Sequence, residues 1–130
     1  MIRPSSKGIR HIALRVRNMN IMRSFYVDTL GFQVEWEPDP QNLYLTSGTD
    51  NLALHQVQQE LHSGTLDHMG ILVDVPEDVD LWALYLKEKN VALTQEPKTH
   101  RDGARSIYFH DPELNLIQII FHPPLSGVRT

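Results

Sequence analysis

The chain has 130 residues, 41% hydrophobic and 22% charged, which are the proportions of one folded domain and not of a disordered segment. A net charge of −4 lacks the basic excess that a phosphate backbone requires, which sets nucleic acid aside as a partner. With no cysteine there is no disulfide framework and no thiolate metal site, so His, carboxylate and amide groups are the donors available to a metal.

The first eight residues are polar, and no apolar run approaches the ~20 residues that span a bilayer, which predicts a cytoplasmic protein without a membrane partner. Alternation from Ile9 to Val16 predicts an opening strand. Its apolar face is Ile12, Leu14 and Val16, and His11, Ala13 and Arg15 point the other way. A helix follows from Asn20 to Leu30, with Met22, Phe25, Tyr26 and Leu30 at three- and four-residue steps and Gly31 at the left-handed cap. Short strands are expected over Phe32–Trp36, Leu43–Thr46 and Leu52–Val57. In the last of these, Leu52 and Leu54 take the apolar face and leave His55 opposite.

The second half repeats the order. A strand over Met69–Val75 has His68 at its start, with Met69, Ile71 and Val73 on one face and His68, Gly70 and Leu72 on the other. Pro76 and the acidic Glu77, Asp78 and Asp80 open a helix over Glu77–Lys89, with Val79, Trp82, Ala83 and Leu86 as its buried stripe and Asn90 as its cap. Strands follow near Val91–Gln95, Ser106–Phe109 and Leu116–Phe121. Tyr108 shares a face with Ser106 and His110, and Gln118 falls between Ile117 and Ile119. The polar stretch Thr99–Arg105, with Gly103 at its turn, reads as an exposed hairpin loop. His62, His100, His110 and His122 fall in loops or at strand ends and read as solvated. Each half is therefore β-α-β-β-β, over about 8–60 and 65–123, within one α+β domain spanning 1–130.

Four stretches carry a resemblance: His11-Ile-Ala-Leu-Arg-Val, Arg23-Ser-Phe-Tyr-Val-Asp-Thr-Leu-Gly-Phe32, Leu66-Asp-His-Met-Gly-Ile-Leu-Val and Ser106-Ile-Tyr-Phe-His-Asp-Pro-Glu-Leu-Asn-Leu-Ile-Gln118. They are similar to the vicinal oxygen chelate superfamily, which includes glyoxalase I, bleomycin-resistance proteins and extradiol dioxygenases. The resemblance implies two β-α-β-β-β modules curled into a half-open, barrel-like cavity around a metal. It implies His11, His55, His68 and Gln118 as metal ligands, pairing His11 with His68 and His55 with Gln118 across the repeat. It also implies a homodimer and a small-molecule substrate. Three imidazoles and an amide suit a divalent ion among zinc, nickel, cobalt, manganese and Fe(II).

Metal-bearing relatives usually carry Glu where Gln118 stands, and glyoxalase I typically carries a second Glu at the His55 position. Neutral donors leave the metal's charge uncompensated and remove a base, so weaker metal binding is expected. The resemblance then implies a metal-dependent, glyoxalase-like lyase or isomerase in which His55 serves as base. Tyr108, ten residues before Gln118, is a second catalytic candidate and the feature that favours an extradiol dioxygenase. A metal-free binding protein of the bleomycin-resistance type is the alternative from another class, carried by Gln118.

Overall fold

Alternation of side chains over residues 11–16 forms β1 (His11–Val16), with Leu14 and Val16 buried and His11, Ala13 and Arg15 exposed. The computed structural model describes residues 2, 9–61, 64 and 66–126, and the chain divides into two compact units, Met1–His62 and Ser63–Thr130. His62 lies outside the described residues.

In the first unit, Asn18 caps α1 (Met19–Arg23) by accepting the Ile21 N–H through Oδ1 at 3.1 Å. The helix expected as far as Leu30 changes its winding at Ser24 and continues as π-helix over Ser24–Thr29. Through both windings Met22, Phe25, Tyr26 and Leu30 stay buried. Tyr26 meets Phe25 and Phe32 edge to face at centroid distances of 5.5 and 5.8 Å. Gly31, at φ +86°, supplies the left-handed residue that ends the element. β2 (Gln33–Asp39), β3 (Asn42–Thr46) and β4 (Asn51–Gln56) then complete a sheet in the order β1-β4-β3-β2. β1 and β4 run parallel and the other neighbours antiparallel. Leu43, Leu45, Leu52 and Leu54 form the sheet's side of the core, each contributing about 1.5–3 kcal/mol by burial.

The second unit is built the same way from β5 (Met69–Val73), α2 (Pro76–Glu88), β6 (Leu93–Thr99), β7 (Arg105–His110) and β8 (Leu116–Phe121), in the order β5-β8-β7-β6. Val79, Ala83 and Leu86 of α2 are buried, as are Ile107, Phe109, Ile117, Ile119 and Phe121. Trp82, expected in the buried stripe, is half-buried, as are Met69, Ile71 and Val73 of the edge strand β5. Asn90 takes the left-handed cap at φ 63°. The Asp-Pro-x-x-Asn segment closes the β7–β8 hairpin: the buried Asp111 carboxylate accepts the Glu113 and Asn115 N–H groups and the Asn115 amide at 2.8–2.9 Å. That turn sets the register that places Tyr108 opposite Gln118. No described helix is long and apolar enough to cross a membrane.

Candidate functional site

Residues in register share a face, and the candidate residues fall on the faces turned away from each unit's buried leucines and isoleucines. In the first unit His11 pairs with Asn51, Ala13 with Ala53 and Arg15 with His55. On β3, Tyr44 pairs with Ala53 and Asn42 with His55, and Trp36 of β2 pairs with Tyr44. Trp36 stacks on Tyr44 at 5.3 Å, and Tyr44 meets the His55 ring edge-on at 5.7 Å.

The same register separates two residues that the resemblance joins on one ion. His55 lies opposite Arg15, four residues along from the level of His11, which is about 13 Å of strand. His11 and His55 therefore stand toward opposite ends of the β1–β4 pair. The repeat also pairs differently from the sequence expectation. Gln118 lies opposite Gly70, two residues beyond His68, and the position opposite Ala13, two residues beyond His11, is Ala53. His55 is thus displaced by two residues from the counterpart of Gln118, because spacing alone cannot register strands joined by loops of different length.

Hydrogen bonds define which nitrogen of each histidine carries the proton. The Asn51 amide donates through Nδ2 to Glu35 Oε1 at 3.0 Å and turns Oδ1 toward His11 Nδ1 at 2.8 Å. A carboxylate only accepts, so the amide nitrogen must face Glu35 and the amide oxygen must face His11, whose Nδ1 is therefore N–H. Asn42 repeats the arrangement: Nδ2 donates to both oxygens of Asp39 at 3.0 and 3.1 Å, and Oδ1 accepts from His55 Nδ1 at 2.6 Å. In the second unit Asp67 Oδ2 accepts directly from His68 Nδ1 at 2.6 Å. Each neutral ring is left with a bare Nε2, the form in which imidazole binds metal or takes a proton.

His68 stands immediately before β5, with its ring edge-on to Tyr108 at 5.3 Å. Gln118, nearly buried, donates through Nε2 to the Tyr108 hydroxyl at 3.0 Å. Its Oε1 lies 3.6 Å from where a side chain on residue 70 would begin, so Gly70 leaves the strand beside that oxygen open. His68, Gln118 and Tyr108 thus form one cluster, with the histidine offset from the glutamine by about 7 Å along the strands. Among the described residues no three His, Asp or Glu side chains gather to hold a metal, so an ion here would have to draw on the amide as well. A bare imidazole nitrogen on His68 and the Gln118 amide oxygen are donors of the kind a divalent first-row metal takes.

One expectation changes. His100 is not simply solvated: its Nε2 lies 3.1 Å from Oγ of the buried Ser106, which the Gln95 amide also reaches at 3.3 Å. The loop after Thr99 is a tight turn, closed by the bond from His100 N–H to the Ala104 carbonyl at 2.7 Å. Arg105 at its end forms a two-pronged ion pair with Asp80 of α2 at 2.6 and 2.9 Å, which holds the Asp80 carboxyl below its ordinary value and raises the guanidinium. Sequence reasoning missed Glu35, Asp39, Asn42, Asn51 and Asp67. Only Asn51, four residues before His55 on one strand, was within reach of a parity argument.

Two β-α-β-β-β units, each a helix over a mixed sheet with histidine on the open face, define a repeat-built α+β class. The profile of the Glyoxalase/Bleomycin resistance protein/Dioxygenase superfamily matches residues 8–119, and the chain belongs to that family. It is similar to the metallothiol transferase FosB of Staphylococcus epidermidis, 30% identical over an aligned length of 116 residues, a match that covers 86% of this chain and 80% of that one. An integron cassette protein from the mobile metagenome of a Halifax Harbour sewage outfall shares the fold at a TM-score of 0.79 and 21% identity, over 90% of this chain and all of that one. So does a lactoylglutathione lyase from Agrobacterium tumefaciens, at 0.78 and 18%, over 93% and 98%.

Proposed function

We propose that this chain is a divalent-metal-dependent enzyme acting on a small substrate that offers adjacent oxygens to the metal. The observation that carries the reading is that an oxygen engages Nδ1 of each of His11, His55 and His68, which leaves Nε2 bare in the neutral ring. His11, His68 and the Gln118 amide oxygen are the proposed ligands. His55, toward the other end of the β1–β4 pair from His11, is the proposed base. A bound divalent ion supplies Lewis acidity toward a substrate oxygen. The chain's own residues do the rest: Arg15, opposite His55, offers a guanidinium to an anionic substrate, and the Tyr108 hydroxyl, accepting from Gln118, keeps its own proton to donate. This supports a glyoxalase-type proton shift.

The likeness to a metallothiol transferase favours a second reading, transfer of a thiol to a metal-bound substrate, which needs no carboxylate base among the ligands. Elemental analysis after dialysis against Zn, Ni, Co, Mn or Fe(II) tests the common premise, and near-stoichiometric metal is expected. No retained metal would replace the reading with a metal-free binding protein. With metal bound, a hemithioacetal substrate tests isomerisation, and loss of free thiol in the presence of an oxygen-chelating electrophile tests transfer. Light scattering on the same samples reads the expected homodimer.

A further inference from the structure

We infer that Glu35–Asn51 and Asp39–Asn42 are two carboxylate–amide relays that lock His11 and His55 in the tautomer with a bare Nε2, which makes these four residues positioning residues. The inference rests on the proposed function for its purpose but not for its test. The two relays have the same construction. A carboxylate orients an asparagine amide by accepting from Nδ2, and the amide oxygen then accepts from a histidine Nδ1. Without the carboxylate the amide is free to present either end to the ring, and an unconstrained neutral imidazole favours the proton on Nε2, which leaves that nitrogen unable to ligate or to act as base.

The backbone supports both relays by special means. The β2–β3 register shifts between Val34 and Trp36, leaving Glu35 unopposed, so a bulge turns Glu35 and Trp36 to the Tyr44 side together and lets Glu35 reach across to Asn51. Asp39 and Asn42 are the paired ends of the two-residue β2–β3 turn. Asp39 is held there by the Gln41 N–H at 2.8 Å, so the turn itself builds the relay to His55. An exposed edge strand such as β2 gains nothing in burial from these carboxylates, and their partners are the observation that distinguishes them from ordinary surface charge.

The test is the long-range 1H–15N spectrum of the metal-free protein with 15N-labelled histidine, well above the ordinary imidazole pKa of ~6.5. His11 and His55 are expected as Nδ1–H tautomers. Glu35→Gln, which does not touch His11, is expected to convert His11 to a mixture and leave His55 unchanged, and Asn42→Ala to convert His55 alone. Asn51→Ala is expected to move His11 to Nε2–H and weaken metal binding about tenfold. If Asn51→Ala fails to fold, Glu35→Gln carries the test. An Nε2–H His11 in the wild type, or an unchanged His11 in Glu35→Gln, overturns the inference. Failure of the wild type to bind any metal overturns the proposed function and leaves the tautomer result standing.

Discussion

At the scale of single residues, Gln118 departs furthest from what the family resemblance implies. Its amide donates a hydrogen bond to the Tyr108 hydroxyl and turns a neutral oxygen toward the space beside Gly70. In Gln118→Glu the geometry barely changes, but the oxygen becomes anionic and Tyr108 switches from acceptor to donor. A carboxylate offsets the ion's charge where an amide offers only a dipole, so metal affinity is expected to rise at least about tenfold, or ~1.4 kcal/mol. Because the position is nearly buried, the metal-free variant is expected to be less stable than the wild type. Competition with a chromophoric chelator reads the first effect and urea unfolding the second. Equal affinities would remove Gln118 from the ligand set. Parity alone put His11, His55 and Gln118 on open faces, because alternation is local. Their pairing was not legible, since register depends on loop lengths and bulges, and neither was Glu35, whose partner Asn51 lies two strands further along the chain, nor the Asp39–Asn42 pair, which only the tight β2–β3 turn brings together.

At the scale of elements, every strand and both helices were legible to within a few residues, and the exceptions have local causes. The change to π winding at Ser24 leaves no periodic signature, because Phe25, Tyr26 and Leu30 satisfy an α-helical stripe equally well. Gly31 was legible, and its role is separable from packing: nothing lies within 4 Å of a Cβ placed there, while its φ is +86°. Gly31→Ala is therefore expected to cost about 1 kcal/mol through backbone strain alone, read as a lower urea midpoint with an unchanged slope. The Asp80–Arg105 pair ties α2 to β7 on the helix side of the sheet. The guanidinium's hydrogen bonds depress the Asp80 carboxyl in the folded chain, so the stabilisation is complete above the ordinary value of about 3.9 and is lost as pH falls through the lower folded value. Asp80→Asn is expected to flatten the acid limb of the stability profile below that pH and to leave its shape near neutrality alone. An identical acid limb in both proteins would mean that the pair contributes no pH-dependent stability.

At the scale of the whole molecule, the repeat was the most legible feature, because order of elements survives where residue identities do not. Both halves read β-α-β-β-β from pattern alone, and both fold as a helix over a sheet of the same strand order. The second unit's tether at His68 is simpler than the relays of the first unit, a direct bond from its Nδ1 to the adjacent Asp67. His11 is exposed and His68 half-exposed, and neither contributes to a core, so replacing either with Ala is expected to leave the metal-free melting temperature nearly unchanged. Metal that binds only the folded chain stabilises it by about 2.7 kcal/mol at a hundredfold excess over Kd, roughly 10 °C for a chain of this size. Wild-type protein is expected to show that upward shift, and His11→Ala and His68→Ala to lose most of it. The comparison separates ligand from structural roles within one experiment. A variant that melts early without metal marks its histidine as structural, and a variant that keeps the full shift removes that histidine from the proposed ligands.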